Sequence, residues 1–328
     1  MNYFVLGSNS FAGATFINEL LSCEEEVVGV SRSETPSDVL KPYTNNPFVK
    51  NFHFYRCDLN QHADIIQDLI SHYKPKYIID FASQSMVAES WKNPDHWYQT
   101  NIVAKARLHS FLRNAHFLER YVRISTPEIY GHVDGEIKET DSFNPTTPYA
   151  ISQATTDMSL AAFHKQYDFP VLFTRYANFY GPYQQLYRII PKTIICCLLK
   201  KKFPLHGKGL SKRAFIYGTD VASAIIATIQ KGAIGESYHF STGDCLSIAE
   251  LIEKICHLMG VSFEEIVEMA EERPGKDLQY FMSTQKAREK LAWQPSTSLE
   301  TGIQNTIEWA KCNIQHIKAM PLDYVHQA

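Results

Sequence analysis

The sequence predicts an α/β protein built on a doubly wound parallel sheet, with a smaller lobe at its C-terminal end. Three observations carry that reading. Short apolar runs alternate with helical stretches as far as about residue 178. A glycine-bounded turn follows the first run directly. Beyond Asn178 the alternation loosens, and Gly181-Pro182, Pro191, Pro204 and Gly207-Lys208-Gly209 punctuate the chain.

The elements follow in order. Tyr3 to Leu6 is the first strand, and Gly7-Ser8-Asn9-Ser10-Phe11-Ala12-Gly13 opens a helix whose apolar face holds Phe16, Ile17, Leu20 and Leu21. Val27 to Val30 is the second strand. Phe52 to Arg56 is the third, ending at Cys57-Asp58-Leu59, and Tyr77 to Phe81 is the fourth. Tyr121 to Ser125 and Val171 to Arg175 continue the series behind helical stretches at Ala104 to Ala115 and Ala154 to Tyr167. Phe215 to Tyr217 and a helix from Asp220 to Gln230 are expected to return to the first domain. That domain is therefore drawn as 1–178 with about 214–238, and the second lobe as 179–213 and 239–328. The last dozen residues read as a loosely held tail.

Composition bounds the function. The chain has 328 residues, 45% of them hydrophobic, which is enough for a large buried core and excludes disorder as the main state. A net charge of -3 gives no reason to expect nucleic acid or a membrane surface as a partner. Lys200-Lys201-Lys202 is the only basic run and reads as a solvated helix end. Met1 to Leu6 leads straight into a strand, and no apolar run approaches the length of a membrane span, so a cytoplasmic protein is expected. Seven cysteines lack disulfide or metal-ligand spacing and read as reduced, mostly buried thiols, with no metal site.

In a doubly wound sheet a cofactor lies across the carboxyl ends of the strands. Gly7 and Gly13 bound a turn where backbone passes close to a pyrophosphate, with Asn9, Ser10 and Phe11 between them; the alternative is an ordinary strand-to-helix turn. The second strand ends in Ser31-Arg32-Ser33, where an NAD site would offer a carboxylate to the ribose. A guanidinium between hydroxyls suits a 2′-phosphate, which favours NADP over NAD, although a surface arginine explains Arg32 as well.

Thr126 and Glu128, in Ser125-Thr126-Pro127-Glu128-Ile129-Tyr130-Gly131, follow the fifth strand where active-site groups gather. A glutamate desolvated there would serve as a base toward a carbon acid; the alternative is that it caps a turn. Pro148-Tyr149-Ala150-Ile151-Ser152-Gln153 reads as a short-chain dehydrogenase active site in which glutamine occupies the position of the lysine one turn after the tyrosine. That lysine holds the nicotinamide ribose and favours the ionised tyrosine. A unit charge about 5 Å away at an effective dielectric of about 20 contributes about 3 kcal/mol, or about two pKa units. Gln153 donates a hydrogen bond without the charge. It is either native, with slow turnover or an alkaline optimum, or a substitution that traps substrate.

Together these residues resemble the extended short-chain dehydrogenases that act on nucleotide sugars, and most specifically the nucleotide-sugar 4,6-dehydratases, over nearly the whole chain to Trp309. Phe81-Ala82-Ser83-Gln84-Ser85, Asn93-Pro94 and Asn101 resemble the cofactor-lining segment of GDP-mannose dehydratases. Arg175-Tyr176-Ala177-Asn178-Phe179-Tyr180-Gly181-Pro182, Arg188-Ile189-Ile190-Pro191, Gly207-Lys208-Gly209 through Arg213, Asp220 and Arg273-Pro274-Gly275-Lys276-Asp277 are similar to the dTDP-glucose enzymes.

The resemblance implies a Rossmann domain, a substrate-binding lobe and a bound nicotinamide cofactor. Asp58, Leu59, Phe81, Ala82, Ser83 and Tyr176 join Tyr149 and Gln153 at that cofactor. Ser85, Asn178, Arg188, Arg213 and Arg273 hold the sugar nucleotide, the arginines 213 and 273 on its diphosphate; a structural ion pair is the alternative for either. The implied cycle begins as Tyr149 takes the 4-hydroxyl proton, with Thr126 on the same oxygen, while C4 gives up hydride. Glu128 then removes the C5 proton, water leaves from C6, and hydride returns there. Glu128 separates a dehydratase from a simple epimerase. The dTDP-glucose enzymes carry an acidic aspartate where Pro127 stands, and the GDP-mannose enzymes a serine. An epimerase or 4-reductase of the same fold, and a non-catalytic nucleotide-sugar-binding protein, are the alternatives. A homodimer is implied through the helices of Asn101 and Tyr149; Ile102, Leu108, Phe111 and Leu112 face either that partner or the sheet.

Overall fold

The computed structural model describes residues 2–133, 135–140, 142–271 and 281–327. The first half alternates strand and helix: β1 (Tyr3–Leu6), α1 (Phe11–Ser22), β2 (Val27–Ser31), β3 (Phe52–Arg56), α2 (Ala63–Tyr73) and β4 (Tyr77–Asp80). Short helices α3 (Val87–Ser90) and α4 (Pro94–Tyr98) lead through a π-helical stretch, Gln99–Ala104, into α5 (Lys105–Leu112). There follow β5 (Arg120–Ser125), β6 (Glu136–Ile137), α6 (Pro148–Tyr167), β7 (Val171–Tyr176) and β8 (Asn178–Tyr180). The remainder comprises α7 (Ile189–Leu199), β9 (Phe203–His206), β10 (Lys212–Tyr217), α8 (Gly218–Lys231), β11 (Ser237–Phe240) and β12 (Cys245–Ser247). It closes with α9 (Ile248–Met259), α10 (Phe263–Ile266), β13 (Val267–Ala270), β14 (Phe281–Met282), α11 (Gln285–Leu291) and α12 (Leu299–Ile317).

Seven parallel strands form the main sheet in the order β11-β7-β5-β4-β1-β2-β3. Its order reverses at β1, where the connection after β3 crosses back to β4, and the carboxyl ends on either side of that point form the crevice expected of a doubly wound fold. Side chains alternate across the strands. Val5 packs on one face with Phe16 and Ile17 of α1 and Val221 and Ile225 of α8. Phe4 and Leu6 pack on the other with Ile66 and Ile70 of α2, Leu108 and Leu112 of α5 and Leu160 of α6. Leu108 and Leu112 thus belong to the sheet side. Val103, Ile151, Met158 and Tyr167 are exposed apolar residues of the α5–α6 region.

The second lobe is built on α7, α9 and α12 around Ile190, Ile194, Leu251, Ile255, Ile303 and Ile307. β10 pairs with β8 and β12, in a separate small sheet, rather than with the main one. The segment returns to the first domain through α8, which packs on α1, and through β11, whose pairing with β7 runs to Phe240.

The structure departs from the sequence reading in two further places. The helix expected from Ala104 begins as the π-helical stretch, where the Thr156 hydroxyl donates to the Asn101 carbonyl at 2.6 Å and the Asn101 amide reaches Ser152 at 2.9 Å. These side-chain bonds take over from the regular helical ladder. The C-terminal segment is held in place rather than loose. His326 stacks on Trp97 and hydrogen-bonds His96 at 2.9 Å, Asp323 pairs with Lys192 at 2.7 Å, and the Tyr324 ring meets Tyr187. No helix among the described residues is long and apolar enough to cross a membrane.

Candidate active site

The site begins at the β1–α1 turn. Gly7 has φ of 77°, and a Cβ there would stand 2.7 Å from the Ala82 nitrogen and 2.8 Å from the Phe81 carbonyl carbon. A Cβ at Gly13 would stand 2.6 Å from the Gly7 carbonyl oxygen. Gly7 is therefore required for the turn to lie against the segment after β4, and Gly13 for α1 to lie against the turn. Ser10 caps α1 by accepting from the Gly13 amide at 3.1 Å. Asn9 donates to the carbonyls of Ser33 and Glu34, tying the turn to the segment after β2, while its own carbonyl oxygen and the Ser8 hydroxyl are buried without a partner. Shaped backbone, a helix N-terminus and unsatisfied polar atoms fit a dinucleotide pyrophosphate.

Around the turn, Arg32 donates to the Gln327 carbonyl at 3.1 Å, and Arg56 pairs with Glu34 at 2.7 Å. Asp58 accepts from the Asn60 amide at 2.6 Å, and Leu59 packs partly buried beside Cys57 and Val30.

A cleft of about 600 Å³ runs from this turn to the second lobe. Its lining gathers Ser10, Phe11, Phe81, Ser83, Thr126, Glu128, Tyr149, Gln153 and Tyr176 on the sheet side with Ser85, Asn178 and Arg188 toward the substrate lobe. Thr126 caps the short turn Pro127–Tyr130, accepting from the Glu128 amide at 3.3 Å, which aims both side chains at the cleft. The Thr147 hydroxyl caps α6 by accepting from the Ala150 amide at 3.1 Å, so Tyr149 stands in the first turn of that helix. Burial pushes the Tyr149 phenol well above its usual range, and the Glu128 carboxylate adds to the rise; a hydrogen bond from Thr126 and the charges of Arg123 and Arg188 oppose it. Arg188 reaches Ser85 at 3.4 Å. Arg213 is not among the residues lining the cleft; it sits on β10 and donates to the neighbouring Lys212 carbonyl at 2.7 Å. Arg273 lies outside the described residues.

Beneath Tyr149 and Gln153 lies a set of buried charges, of which only Arg175 belongs to a motif read from the sequence. Lys105 pairs with Asp80 at 2.7 Å, and Arg175 with Asp157 at 3.0 Å. Arg123, on β5, donates to Asp157 at 3.2 Å, to the Ile124 carbonyl at 2.8 Å, and to the Gln153 side-chain carbonyl. Ser125 donates to the second Asp157 oxygen at 2.7 Å. Burial alone would raise the Asp80 carboxyl, but Lys105 and Arg123 outweigh it and hold the group below the usual carboxylate range. The available signal was Arg123 itself, a charged residue inside a strand otherwise written for burial on both faces.

The sequence pattern of the GDP-mannose 4,6 dehydratase family matches residues 4–306. The chain belongs to this family. It is 31% identical over 275 residues to the human dTDP-D-glucose 4,6-dehydratase, covering 82% of this chain and 78% of that protein. A dTDP-glucose 4,6-dehydratase of Haemophilus influenzae is 28% identical, with 94% and 97% covered. A trifunctional UDP-glucose 4,6-dehydratase of Arabidopsis thaliana is 30% identical over 94% of this chain, which spans 47% of that longer protein. Among solved structures, a dTDP-glucose 4,6-dehydratase from Streptomyces venezuelae with NAD bound superposes with a TM-score of 0.88 at 27% identity, covering 96% of this chain and 98% of that one. As a member of the family, the chain is a short-chain-dehydrogenase-type enzyme of nucleotide-sugar dehydration, with the Rossmann fold the sequence predicts.

Proposed function

We propose that this chain converts an NDP-hexose to the NDP-4-keto-6-deoxyhexose. The observation that carries the reading is the convergence of Thr126, Glu128 and Tyr149 on one cleft beside the dinucleotide turn. Tyr149 removes the proton of the sugar 4-hydroxyl while Thr126 hydrogen-bonds the same oxygen. The nicotinamide, when bound, stores the hydride from C4 and returns it to C6. Glu128 takes the C5 proton made acidic by the 4-ketone. Pro127 has no proton to donate, and Glu128, protonated by that step, delivers its proton to the departing C6 hydroxyl, which leaves as water. One carboxyl group thus serves as base and then acid; the enolate left once C6 has its hydride takes a proton at C5 from solvent, and Tyr149 releases to solvent the proton it took from the 4-hydroxyl.

Gly7, Asn9, Ser10, Phe11 and Gly13 would hold the pyrophosphate, Asp58 and Leu59 the adenine side, and Phe81, Ala82, Ser83, Gln153 and Tyr176 the nicotinamide half. Ser85, Asn178 and Arg188 take the sugar nucleotide, joined by Arg213 and Arg273 at the diphosphate. The NAD bound in the Streptomyces venezuelae relative supports a nicotinamide dinucleotide here. Arg32 flanked by Ser31 and Ser33, with no carboxylate at the end of β2, supports NADP as the preferred form. The dinucleotide belongs to 1–178 with α8 and β11, and the sugar nucleotide to the remainder of the chain joined by Ser85 and Asn178. Exposed Val103, Ile151 and Met158 support a homodimer, and the composition supports a cytoplasmic setting.

Mass spectrometry of GDP-mannose, dTDP-glucose, CDP-glucose and UDP-GlcNAc incubated with the protein and NADP or NAD tests the reading. Loss of one water from one sugar is expected. An isomer of unchanged mass would identify an epimerase, and no change in any sugar would sink the dehydratase.

A further inference from the structure

The dehydratase reading leaves one discrepancy: Gln153 is neutral where the active-site tyrosine needs a nearby cation. We propose that the cation has been moved rather than lost, and that Arg123 supplies it from the strand beneath, with Gln153 as the relay to the cleft. The inference rests on the dehydratase reading and extends it to a positioning residue.

Three observations support it. First, a carboxamide can be turned either way, but a guanidinium only donates. Nη2 of Arg123 points at Gln153 Oε1, so the Gln153 amide nitrogen faces the other direction. There it donates to Ser83 Oγ at 2.6 Å, and among the described residues its second hydrogen has no acceptor. That hydrogen is available to a ribose hydroxyl, the role of the lysine ammonium.

Second, the buried charges do not cancel. Asp80 is matched by Lys105, and Asp157 by Arg175. Arg123 is the third cation against two carboxylates, is 0% exposed, and contacts Gln153 with its free end. An arginine in that position cannot shed its proton. The surplus positive charge of the set therefore lies directly behind the residue that replaces lysine.

Third, the Arg123 charge favours the ionised phenol, against the larger upward push of burial and Glu128. Glu128, Thr126, Arg123 and Arg188 are the groups that act on Tyr149, and Arg123 acts in the lowering direction that the missing lysine would have supplied. Arg188 belongs to the substrate side of the cleft, which leaves Arg123 as the cation of the sheet side.

The test is a cross of Arg123→Met with Gln153→Lys. Arg123→Met is expected to lower kcat about tenfold or more and to move the acidic limb of the pH profile upward by about one unit, because the tyrosinate loses its cation. Gln153→Lys alone sets two cations side by side and is expected to lower both kcat and Tm. The double variant restores the charge count, so kcat, the pH limb and Tm are all expected to recover toward the wild-type values. A double variant no better than Arg123→Met, or an unmoved pH limb in Arg123→Met, would overturn the proposal. If Arg123→Met does not fold, Gln153→Lys decides alone: a large gain in rate would mean that the cation was absent rather than relocated. Wild-type turnover is recorded in the same series, and its absence would overturn the dehydratase reading. In that case the Tm cycle still reports on Arg123, since independent, additive effects at the two positions would refute their sharing of one charge.

Discussion

Arg123 on β5 donates to the side-chain carbonyl of Gln153 on α6; both residues are buried, Gln153 in the wall of the candidate active site and Arg123 behind it. This bond fixes which end of the carboxamide the cleft receives. It also makes the environment of Tyr149 more basic-residue-rich than the local motif around the tyrosine indicates.

Tyr149→Phe removes the phenolic oxygen that takes the 4-hydroxyl proton and leaves the ring in place. Turnover of the responsive NDP-hexose should fall by about 10² to 10⁴. Cofactor affinity measured by calorimetry should change little, and a wild-type rate in this variant would remove Tyr149 from the mechanism.

Glu128→Gln separates the two halves of the reaction. Oxidation at C4 should survive, read as transient absorbance of reduced cofactor near 340 nm, while loss of water should fall by about 10² or more. Undiminished dehydration would show that another group removes the C5 proton.

Arg32→Ala addresses the cofactor. A charge-assisted contact to a 2′-phosphate contributes about 1.5–3 kcal/mol, so NADP affinity should drop about tenfold to a hundredfold with NAD affinity nearly unchanged. Equal losses for both, or preference for NAD in the wild-type protein, would assign Arg32 to the Gln327 contact alone.

The docked C-terminal segment should weaken with acid. Burial lowers the pKa of His326, and the facing His96 lowers it further. A proton is therefore taken up more readily by the released segment than by the docked one. Docking is fully favourable above the free value of about 6.5 and is lost as pH falls from there toward the depressed docked value. Trp97 fluorescence, with Trp97→Phe as control, should report loss of the stack over that range; a flat signal between pH 7 and pH 5 would count against it.

The sheet was legible because each strand is a short apolar run next to a turn or helix signal, and because alternation admits few topologies. The place of Thr126, Glu128 and Tyr149 on the cleft was legible for a related reason: they lie just past a strand end or in a first helical turn, where spacing fixes location. Arg123 was not, since its meaning depends on Asp157 and Gln153, which lie 34 and 30 residues away in sequence. β10 was assigned to the first domain because its apolar run resembles any other strand; only its partner, β8, distinguishes the small sheet from the large one. The C-terminal segment carries no periodic pattern, and its order comes from single contacts with Trp97, Lys192 and Tyr187.

Those contacts have a mechanical consequence. Gln327 touches Arg32 and Gln84 at the dinucleotide end, His326 rests on Trp97, and Asp323 and Tyr324 reach Lys192 and Tyr187 across the cleft. The segment is a tether anchored on both banks, so any swing of one lobe away from the other puts it under tension. The anchor on the Lys192 side includes the exposed Asp323 carboxylate and the Tyr324 ring on Tyr187, and the other combines a buried indole, an imidazole pair and two bonds to one carbonyl. A swing of the lobes therefore requires the contacts on one bank to break before the cleft can open.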